Sequence, residues 1–323
     1  METLRLKVAS GEGKTGAEAL FSPRCGGRVH QITLSPGSDS PAIPILVPEA
    51  AGAVSGRNRA PCDTAGFNGC MLLPFNDRIP NGVYRWNGTS HQLPINDPAS
   101  GCAIHGLLYR CEMEHIWLEE GPRESVAILE YHMSRDAFPG YPFELSIRLR
   151  YRLRLESFRL EIEVTNQGND AAPVAIGWHP YFSLPDSGGR RSSVDSLHLR
   201  VPSRRYVEVD RYLMPTGRTL PVEGSPYDFT VPRLPGNQLL DIAVQKGGAA
   251  VTLASDAYRL EVKSSKTFAY WQLFIPEDRM SVAIEPVSAA TNSFNMPDLG
   301  LRTLFPEEKM HGIVTLRLFG AGA

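Results

Sequence analysis

The sequence lacks the features that mark several classes of protein. Its 323 residues contain no run of about 18 apolar residues, the length that a membrane-spanning helix needs. Lys and Arg number 33 against 35 Asp and Glu, so the formal net charge is −2 and no basic cluster favours a polyphosphate. We therefore expect neither a membrane nor a nucleic acid as partner.

Cysteine is also scarce, and its five copies all lie in the first third of the chain: Cys25, Cys62, Cys70, Cys102 and Cys111. An odd number at low density argues against a disulfide framework, so we expect reduced thiols. The segment Met1–Val8 places charges inside its only apolar stretch and alternates like a strand, unlike a secretory signal peptide. These observations predict a cytoplasmic protein.

Helical periodicity is missing, because the 29 Gly and 26 Pro interrupt every candidate stretch. A period of two is present instead. Residues 143–155 alternate apolar and polar side chains, and after Glu156 and Ser157 the alternation resumes over 158–164. This pattern predicts a hairpin with arginines opposite glutamates on its outer face. It also indicates an all-β fold.

Further segments share the composition of strands and are separated by turn-forming residues. They are Thr3–Val8, Gly27–Leu34, Ser125–Met133, Val174–Gly177, Ser196–Val201, Ala249–Leu253, Tyr258–Lys263, Phe268–Ile275, Ser281–Glu285 and Ile313–Leu318. Segments 35–66, 184–195 and 215–240 are predicted as long loops. No linker or internal repeat divides the chain, so we expect one domain over residues 1–323.

Two motifs suggest other chemistries and are weak. Gly11–Gly16 matches Gly-x-Gly-x-x-Gly, but only five residues separate it from Ser22 and Pro23, too few for the helix that a dinucleotide site needs, so a surface turn is favoured. Ligand-type side chains at Cys102, His105, Cys111 and His115 raise the question of zinc. A Cys-x2-Cys pair is absent and the surrounding residues are apolar, so we expect no metal.

Four polar residues stand in apolar or turn-forming sequence. Arg78 follows Leu72–Phe75 in a turn, and His105 precedes a glycine. His179 is surrounded by aromatic residues, and Glu285 ends an apolar strand. Taken singly, each is best explained as a structural residue. Together, a carboxylate and a histidine beside aromatic rings suit acid–base chemistry on a sugar, because aromatic faces stack on a pyranose while arginine and histidine bind its hydroxyls.

In combination and in order, these motifs resemble the aldose 1-epimerase (galactose mutarotase) family, from about Gly26 to Leu318. The matching segments are Asn76–Gly82 with Tyr84, Ile104–Gly106 with Trp117, Pro139–Pro142, His179–Phe182, Met214–Gly217, Tyr227–Phe229, Leu240–Asp241, and Glu285–Pro286 with Asn292 and Asn295. Two departures stand out: Ile104–Leu107 replaces the common Leu-His-Gly-Gly, and the element around the substrate aspartate is reduced to Leu240–Ala243.

The resemblance implies a large antiparallel β-sandwich with a groove across one sheet. It also implies catalytic roles for His179 as general acid and Glu285 as general base, with Arg78, His105 and Asp241 holding the sugar. The reaction would open a hemiacetal and reclose it on the other face, without cofactor or metal. Glu285 must then stay ionised, so we expect hydrogen bonds or a cationic neighbour around it.

Three alternatives stay open at this stage. One is a sugar-binding protein without activity. Another is an epimerase of phosphorylated or otherwise modified sugars, for which Arg57, Arg59, Arg190 and Arg191 are candidate cations. The third is a lyase or hydrolase, which needs a second catalytic acid. The preferred aldose and the choice between monomer and homodimer are likewise open.

Overall fold

The structure, a computed structural model, describes residues 3–10, 15–46, 62 and 66–320. Strands account for 49% and helix for 4%, so the prediction of an all-β fold is confirmed. Within the described residues, no helix is long and apolar enough to cross a membrane.

The described strands number 26, and all of their pairings are antiparallel. They are β1 (Leu4–Ala9), β2 (Thr15–Ser22), β3 (Arg28–Leu34), β4 (Ile43–Leu46), β5 (Met71–Leu72), β6 (Arg78–Pro80), β7 (Val83–Trp86), β8 (Thr89–Gln92), β9 (Cys102–Ile104), β10 (Glu114–Glu120), β11 (Ser125–Met133), β12 (Leu145–Arg154), β13 (Ser157–Asn166), β14 (Ala172–Val174), β15 (Gly177–Trp178), β16 (Tyr181–Phe182), β17 (His198–Arg200), β18 (Arg205–Val209), β19 (Pro215–Pro221), β20 (Asp241–Gln245), β21 (Val251–Ala254), β22 (Tyr258–Ser264), β23 (Tyr270–Phe274), β24 (Val282–Val287), β25 (Arg302–Leu304) and β26 (Lys309–Gly320). Short 3-10 helices cover Pro23–Cys25, Leu108–Arg110, Val194–Ser196 and Pro297–Leu299.

Two large sheets form a sandwich. One has twelve strands in the order β1-β2-β3-β4-β16-β24-β23-β20-β18-β19, with β15 and β5 attached beside β24. The other has eight, in the order β10-β11-β12-β13-β26-β22-β21-β17. Aromatic rings join the two sheets: Phe21 of β2 stacks on Tyr151 of β12 with centroids 4.5 Å apart, and Phe158 of β13 contacts Trp178 of β15. The shared apolar core agrees with one domain over 1–323, which stays a prediction.

The predicted hairpin is β12 and β13, and its apolar side chains are buried at alternate positions. Arg148 lies opposite Glu163 and Arg150 opposite Glu161, as expected. Arg152 instead lies opposite another arginine and approaches Glu124 at 3.6 Å on its other side. The arginine-rich face therefore obtains counter-charges from outside the hairpin as well, from Glu130 of β11 and from Glu124 just before that strand.

Several predicted boundaries are wrong. The predicted strand Val174–Gly177 is divided between β14 and β15, and Ser196–Val201 shrinks to β17 because a 3-10 helix capped by Ser193 occupies its start. The loops predicted over 35–66 and 215–240 contain β4 and β19. Most of the Gly11–Gly16 motif lies outside the described residues.

The expectation of reduced thiols is wrong for one pair of cysteines. Cys25 and Cys62 form a disulfide with their Cα atoms 5.2 Å apart, whereas Cys70, Cys102 and Cys111 are free and buried. The two paired cysteines are 37 residues apart in the chain. Spacing alone does not reveal such a pair, because only the folded chain brings the two within bonding distance.

Candidate active site

A pocket of about 650 Å³ is lined by all five residues that the sequence predicted, namely Arg78, His105, His179, Asp241 and Glu285. They come from segments far apart in the chain. Two belong to strands of the twelve-stranded sheet, Asp241 to β20 and Glu285 to β24, and the others lie in β6 or in turns near these strands. The fold thus gathers the predicted set at one place.

The register of the central strands explains why polar side chains share one face. Gln272 of β23 lies directly opposite Glu285 of β24, and Asp241 of β20 lies opposite Phe274 of β23. Side chains alternate between faces along a strand. The intervening residues, such as Leu273 and Ile284, consequently belong to the core, while the polar set lines the pocket.

His179 and Glu285 are neighbours in this pocket. His179 Nδ1 is 3.5 Å from Glu285 Oε1, and the two side chains are only 5% and 3% exposed. The separation suits an ion pair, but its geometry leaves Nδ1 without a hydrogen-bond partner among the described residues. The imidazole is held flat against Tyr181, with ring centroids 5.0 Å apart and planes 8° apart.

Burial governs the protonation of this pair. It raises the pKa of Glu285 well above its usual value, and the charges of Asp77 and Asp241 raise it further, while Arg78 opposes them. Burial likewise lowers the pKa of His179, assisted by His105. A cationic neighbour is therefore present as expected, but burial outweighs it, and the surroundings favour a protonated Glu285 beside a neutral His179.

Arg78 lies between two carboxylates. Its Nη1 is 3.0 Å from Asp77 Oδ1, and its Nη2 is 3.7 Å from Asp241 Oδ2. Burial lowers the pKa of the guanidinium, but these two charges outweigh it, so the pKa is raised. Arg78 therefore stays cationic and presents hydrogen-bond donors to the pocket.

Asp241, at the start of the reduced motif, lines the pocket. Its Oδ1 accepts a hydrogen bond of 2.7 Å from Gln272 Nε2. Burial and the charge of Asp77 raise its pKa to about 6, while Arg78 and the Gln272 hydrogen bond act in the opposite direction.

His105 occupies a strained turn after β9. Its φ is 62°, and Gly106 follows at 77°. A Cβ at Gly106 would lie 2.3 Å from the Leu73 carbonyl oxygen, which explains why glycine follows the histidine. Burial and the charge of Arg78 lower the pKa of His105 to about 3, so its ring is neutral and offers one donor and one acceptor.

Other pocket residues escaped the sequence argument: Phe67, Asp77, Asn96, Tyr181, Gln272 and Phe274. Asp77 was within the quoted motif beside Arg78, and Gln272 is a polar residue in an apolar strand, which is the signal that could have found it. Asn96 binds the backbone of Ile104 through both ends of its amide. Its position depends on tertiary contacts and carries no pattern in the sequence.

The described residues give little support to a metal ion or a phosphorylated sugar as ligand. Among the described residues, no three His, Cys, Asp or Glu side chains are placed to hold a metal ion. Arg190 pairs with Asp186, and Arg191 binds the Met280 carbonyl oxygen; neither lines the pocket. Arg57 and Arg59 lie outside the described residues. The absence of a metal requirement stays a prediction.

Comparison with protein families gives a match to the model named aldose 1-epimerase over residues 60–317. The uncharacterized protein YihR of Escherichia coli is 28% identical over 70% of this chain and 71% of its own length. Human galactose mutarotase is 28% identical over 54% of this chain and 48% of its own length. The aligned region thus spans about half of the galactose mutarotases that match.

Solved structures share the fold. An aldose epimerase homologue from C. elegans superposes with a TM-score of 0.81 at 16% identity, covering 99% of this chain and 100% of its own. Galactose 1-epimerase from Lactobacillus acidophilus gives a TM-score of 0.75 at 18% identity, covering 99% of each chain. These likenesses confirm the predicted sandwich fold.

Proposed function

The chain belongs to the aldose 1-epimerase family, and we propose that it interconverts the α and β anomers of an aldose by opening and reclosing the hemiacetal ring. The observation that carries the proposal is the pair of His179 and Glu285, 3.5 Å apart inside a pocket that also contains Arg78 and Asp241. An acid and a base held together and shielded from water can act on two oxygens of one sugar.

In the proposed reaction, Glu285 as carboxylate takes the proton of the anomeric hydroxyl while imidazolium His179 protonates the ring oxygen. The bond between the anomeric carbon and the ring oxygen breaks, and an aldehyde forms. Rotation about the neighbouring carbon–carbon bond exposes the other carbonyl face, and the two residues reclose the ring with exchanged roles. Protons and electrons balance, so the reaction needs no redox partner.

The pKa shifts support a starting state in which Glu285 is protonated and His179 is neutral. A protonated Glu285 beside a neutral His179 carries the same single proton as a carboxylate beside an imidazolium. Transfer of that proton between the two side chains produces the reactive form without changing the charge of the pocket. Sugar hydroxyls donating to the Glu285 carboxylate, together with Arg78, would favour this form once substrate is bound.

The remaining polar residues fit the task of holding the ring. Arg78 offers donors, Asp241 offers acceptors, and neutral His105 offers one of each. Tyr181 and Phe274 add aromatic surface to the same pocket, with ring centroids 6.2 Å apart. We propose that these groups bind aldose hydroxyls in the cyclic and open forms alike.

Polarimetry tests the proposal. Freshly dissolved α-D-glucose or α-D-galactose is expected to reach its equilibrium rotation faster with the protein than in buffer or with an equal amount of unrelated protein. Glu285→Gln is the matched control. No acceleration over a panel of free aldoses, with binding of those aldoses retained, would contradict the proposed activity and favour a sugar-binding protein.

The place of this activity in the cell stays a prediction. The sequence argument favours the cytoplasm, whereas the Cys25–Cys62 disulfide is of a kind that persists mainly in oxidising compartments. Cells expressing the full-length protein can be fractionated, with free thiols alkylated at lysis. This experiment measures both the compartment of the protein and the oxidation state of Cys25 and Cys62.

A further inference from the structure

A charged side chain next to Arg78 has no part in the proposed reaction. Asp77 is 7% exposed and lines the pocket beside Arg78. A buried carboxylate is costly unless it is paired and hydrogen-bonded. Its Oδ1 is 3.0 Å from Arg78 Nη1, and its Oδ2 accepts a hydrogen bond from the Thr291 hydroxyl. Both oxygens are thus engaged by named partners.

The backbone at Asp77 ties three parts of the site together. Its carbonyl oxygen accepts a hydrogen bond of 3.0 Å from the His105 N–H. The next carbonyl, that of Arg78, accepts one of 2.9 Å from the Asn292 N–H. Asp77 has a φ of 49°, a left-handed conformation that Asp and Asn adopt more readily than most residues. The turn at Asp77 therefore connects His105, Arg78 and the segment that contains Thr291.

The guanidinium of Arg78 depends on Asp77 for its nearer ionic contact. Its other carboxylate, on Asp241, is 3.7 Å away and is shared with Gln272. Without the Asp77 carboxylate, Arg78 would keep only the longer of these two ionic contacts.

The charge of Asp77 also acts on the acid–base pair. After burial, it is the next largest cause that raises the pKa of Glu285, and it raises that of His179 as well. The titratable and charged groups that line this pocket with Glu285 are Asp77, Arg78, Asp97, His105, Tyr109, Arg110, His179, Tyr181 and Asp241. Removing one negative charge from this set favours proton release from both members of the pair.

We propose that Asp77 is a positioning residue of the epimerase: its carboxylate aims Arg78 at the substrate, and its negative charge retains the proton that His179 and Glu285 exchange with the sugar. This inference rests on the proposed function. It assigns Asp77 no contact with the reacting atoms. The pH dependence of the enzyme then depends on the charges of Asp77 and Asp241 as well as on Glu285 itself.

The test is the pH profile of kcat/KM for Asp77→Asn. Asn preserves the shape and the left-handed backbone, so loss of charge is the main change. We expect both limbs of the profile to move to lower pH by about one unit and KM to rise because Arg78 is released. Asp77→Gly, which also accepts a left-handed φ, is the second variant if the first does not fold.

Two controls separate charge from packing. Thr291→Val removes the hydroxyl donor but leaves the Asp77 charge, so KM is expected to rise with both limbs in place, and Thr291→Ser to restore KM. Asp97→Asn removes one negative charge from another wall of the same pocket, where its carboxylate accepts a hydrogen bond from Ser100. Its effect on the acid limb is expected to be smaller than that of Asp77→Asn.

A folded Asp77→Asn enzyme with unchanged limbs would overturn the proposal, as would an equal shift with Asp97→Asn. If the wild-type protein fails to accelerate mutarotation, the proposed function fails separately. The Glu285 carboxyl is then titrated by carbon-13 NMR in the wild type and in Asp77→Asn, with Glu285→Gln identifying the signal. A lower Glu285 pKa in the variant supports the role of Asp77, and an unchanged one refutes it.

Discussion

The two sheets of this molecule handle polar side chains in opposite ways. In the eight-stranded sheet, the hairpin of β12 and β13 buries Leu149 and Ile162 while its charged residues point outward. In the centre of the twelve-stranded sheet, every residue of β24 is buried, including Glu285. Val282 and Ile284 of that strand pack in the core, whereas Glu285 lines the pocket. Buried polar groups are thus concentrated where the twelve-stranded sheet forms the pocket, and burying such groups costs free energy unless they are paired.

The local backbone differs in the same way. The turns that carry Asp77 and His105 have positive φ values, which cost free energy in residues other than glycine. The hairpin turn between β12 and β13 has no such residue. Strain and buried charge thus occur together beside the pocket. We expect mutations of pocket residues to lower activity rather than stability, and mutations in the core of the eight-stranded sheet to lower stability rather than activity.

The largest expected effect is on catalysis. Glu285→Gln and His179→Asn should each lower kcat by about two to four orders of magnitude, because each removes a group that moves a proton. The thermal midpoint should not fall. The raised pKa of Glu285 gives stability that is present at low pH and lost as pH rises through that pKa, so a neutral glutamine avoids the loss at neutral pH.

Rates from polarimetry and midpoints from calorimetry check this pair of expectations. Near-normal turnover in either variant would remove that residue from the chemistry. If both variants unfold, Glu285 and His179 are structural residues. The expected difference between the two sheets would then be wrong.

The opposite signature is expected in the eight-stranded sheet. Leu149→Ala removes a fully buried side chain from the apolar core and should lower the free energy of unfolding by about 2–5 kcal/mol. The kcat of the protein that remains folded should be unchanged, because no pocket residue lies on β12. Urea unfolding and polarimetry on the same sample measure both. A large loss of kcat without a loss of stability would break the division between the sheets.

A third prediction separates binding from chemistry within the pocket. Arg78→Ala and Asp241→Ala should each raise KM by about 10–100-fold, the worth of a hydrogen bond to a charged group. Their kcat should fall less than that of Glu285→Gln, because contacts made equally in the ground and transition states do not lower the barrier. Michaelis kinetics over several aldoses measure this. An unchanged KM in Asp241→Ala would remove that residue from the site.

The smallest expected effect is on the pH dependence of stability. Burial lowers the pKa of His105 from 6.5 to about 3, so neutral His105 stabilises the fold above pH 6.5 and that contribution is lost as pH falls toward 3. Between pH 6.5 and 5 the loss is about 1–2 kcal/mol for this one group. His105→Asn should therefore show a flatter decline of unfolding free energy over this range. A decline equal to that of the wild type would contradict the burial of His105.

Regular strands were predictable because alternation is a local property. The boundaries of β11, Ser125–Met133, agree with the prediction, and those of the hairpin differ by a few residues. Short strands such as β5, β6 and β9 were not predicted, since two or three residues carry no periodic signal. They form by pairing with short strands elsewhere in the chain, β6 with β9 and β5 with β15.

The sequence by itself determined the all-β class and which polar residues stand out: Arg78, His105, His179 and Glu285 lie in motifs whose order along the chain specifies a family. Only the tertiary structure decided that these residues share a pocket, that Asp77 and Gln272 join them, and that Cys25 meets Cys62. It also raised the pKa of Glu285, because a pKa depends on burial and on charges from distant segments. The physical reason is one of range: periodicity acts between residues close in the chain, whereas desolvation, electrostatic coupling and bond formation act between residues close in space.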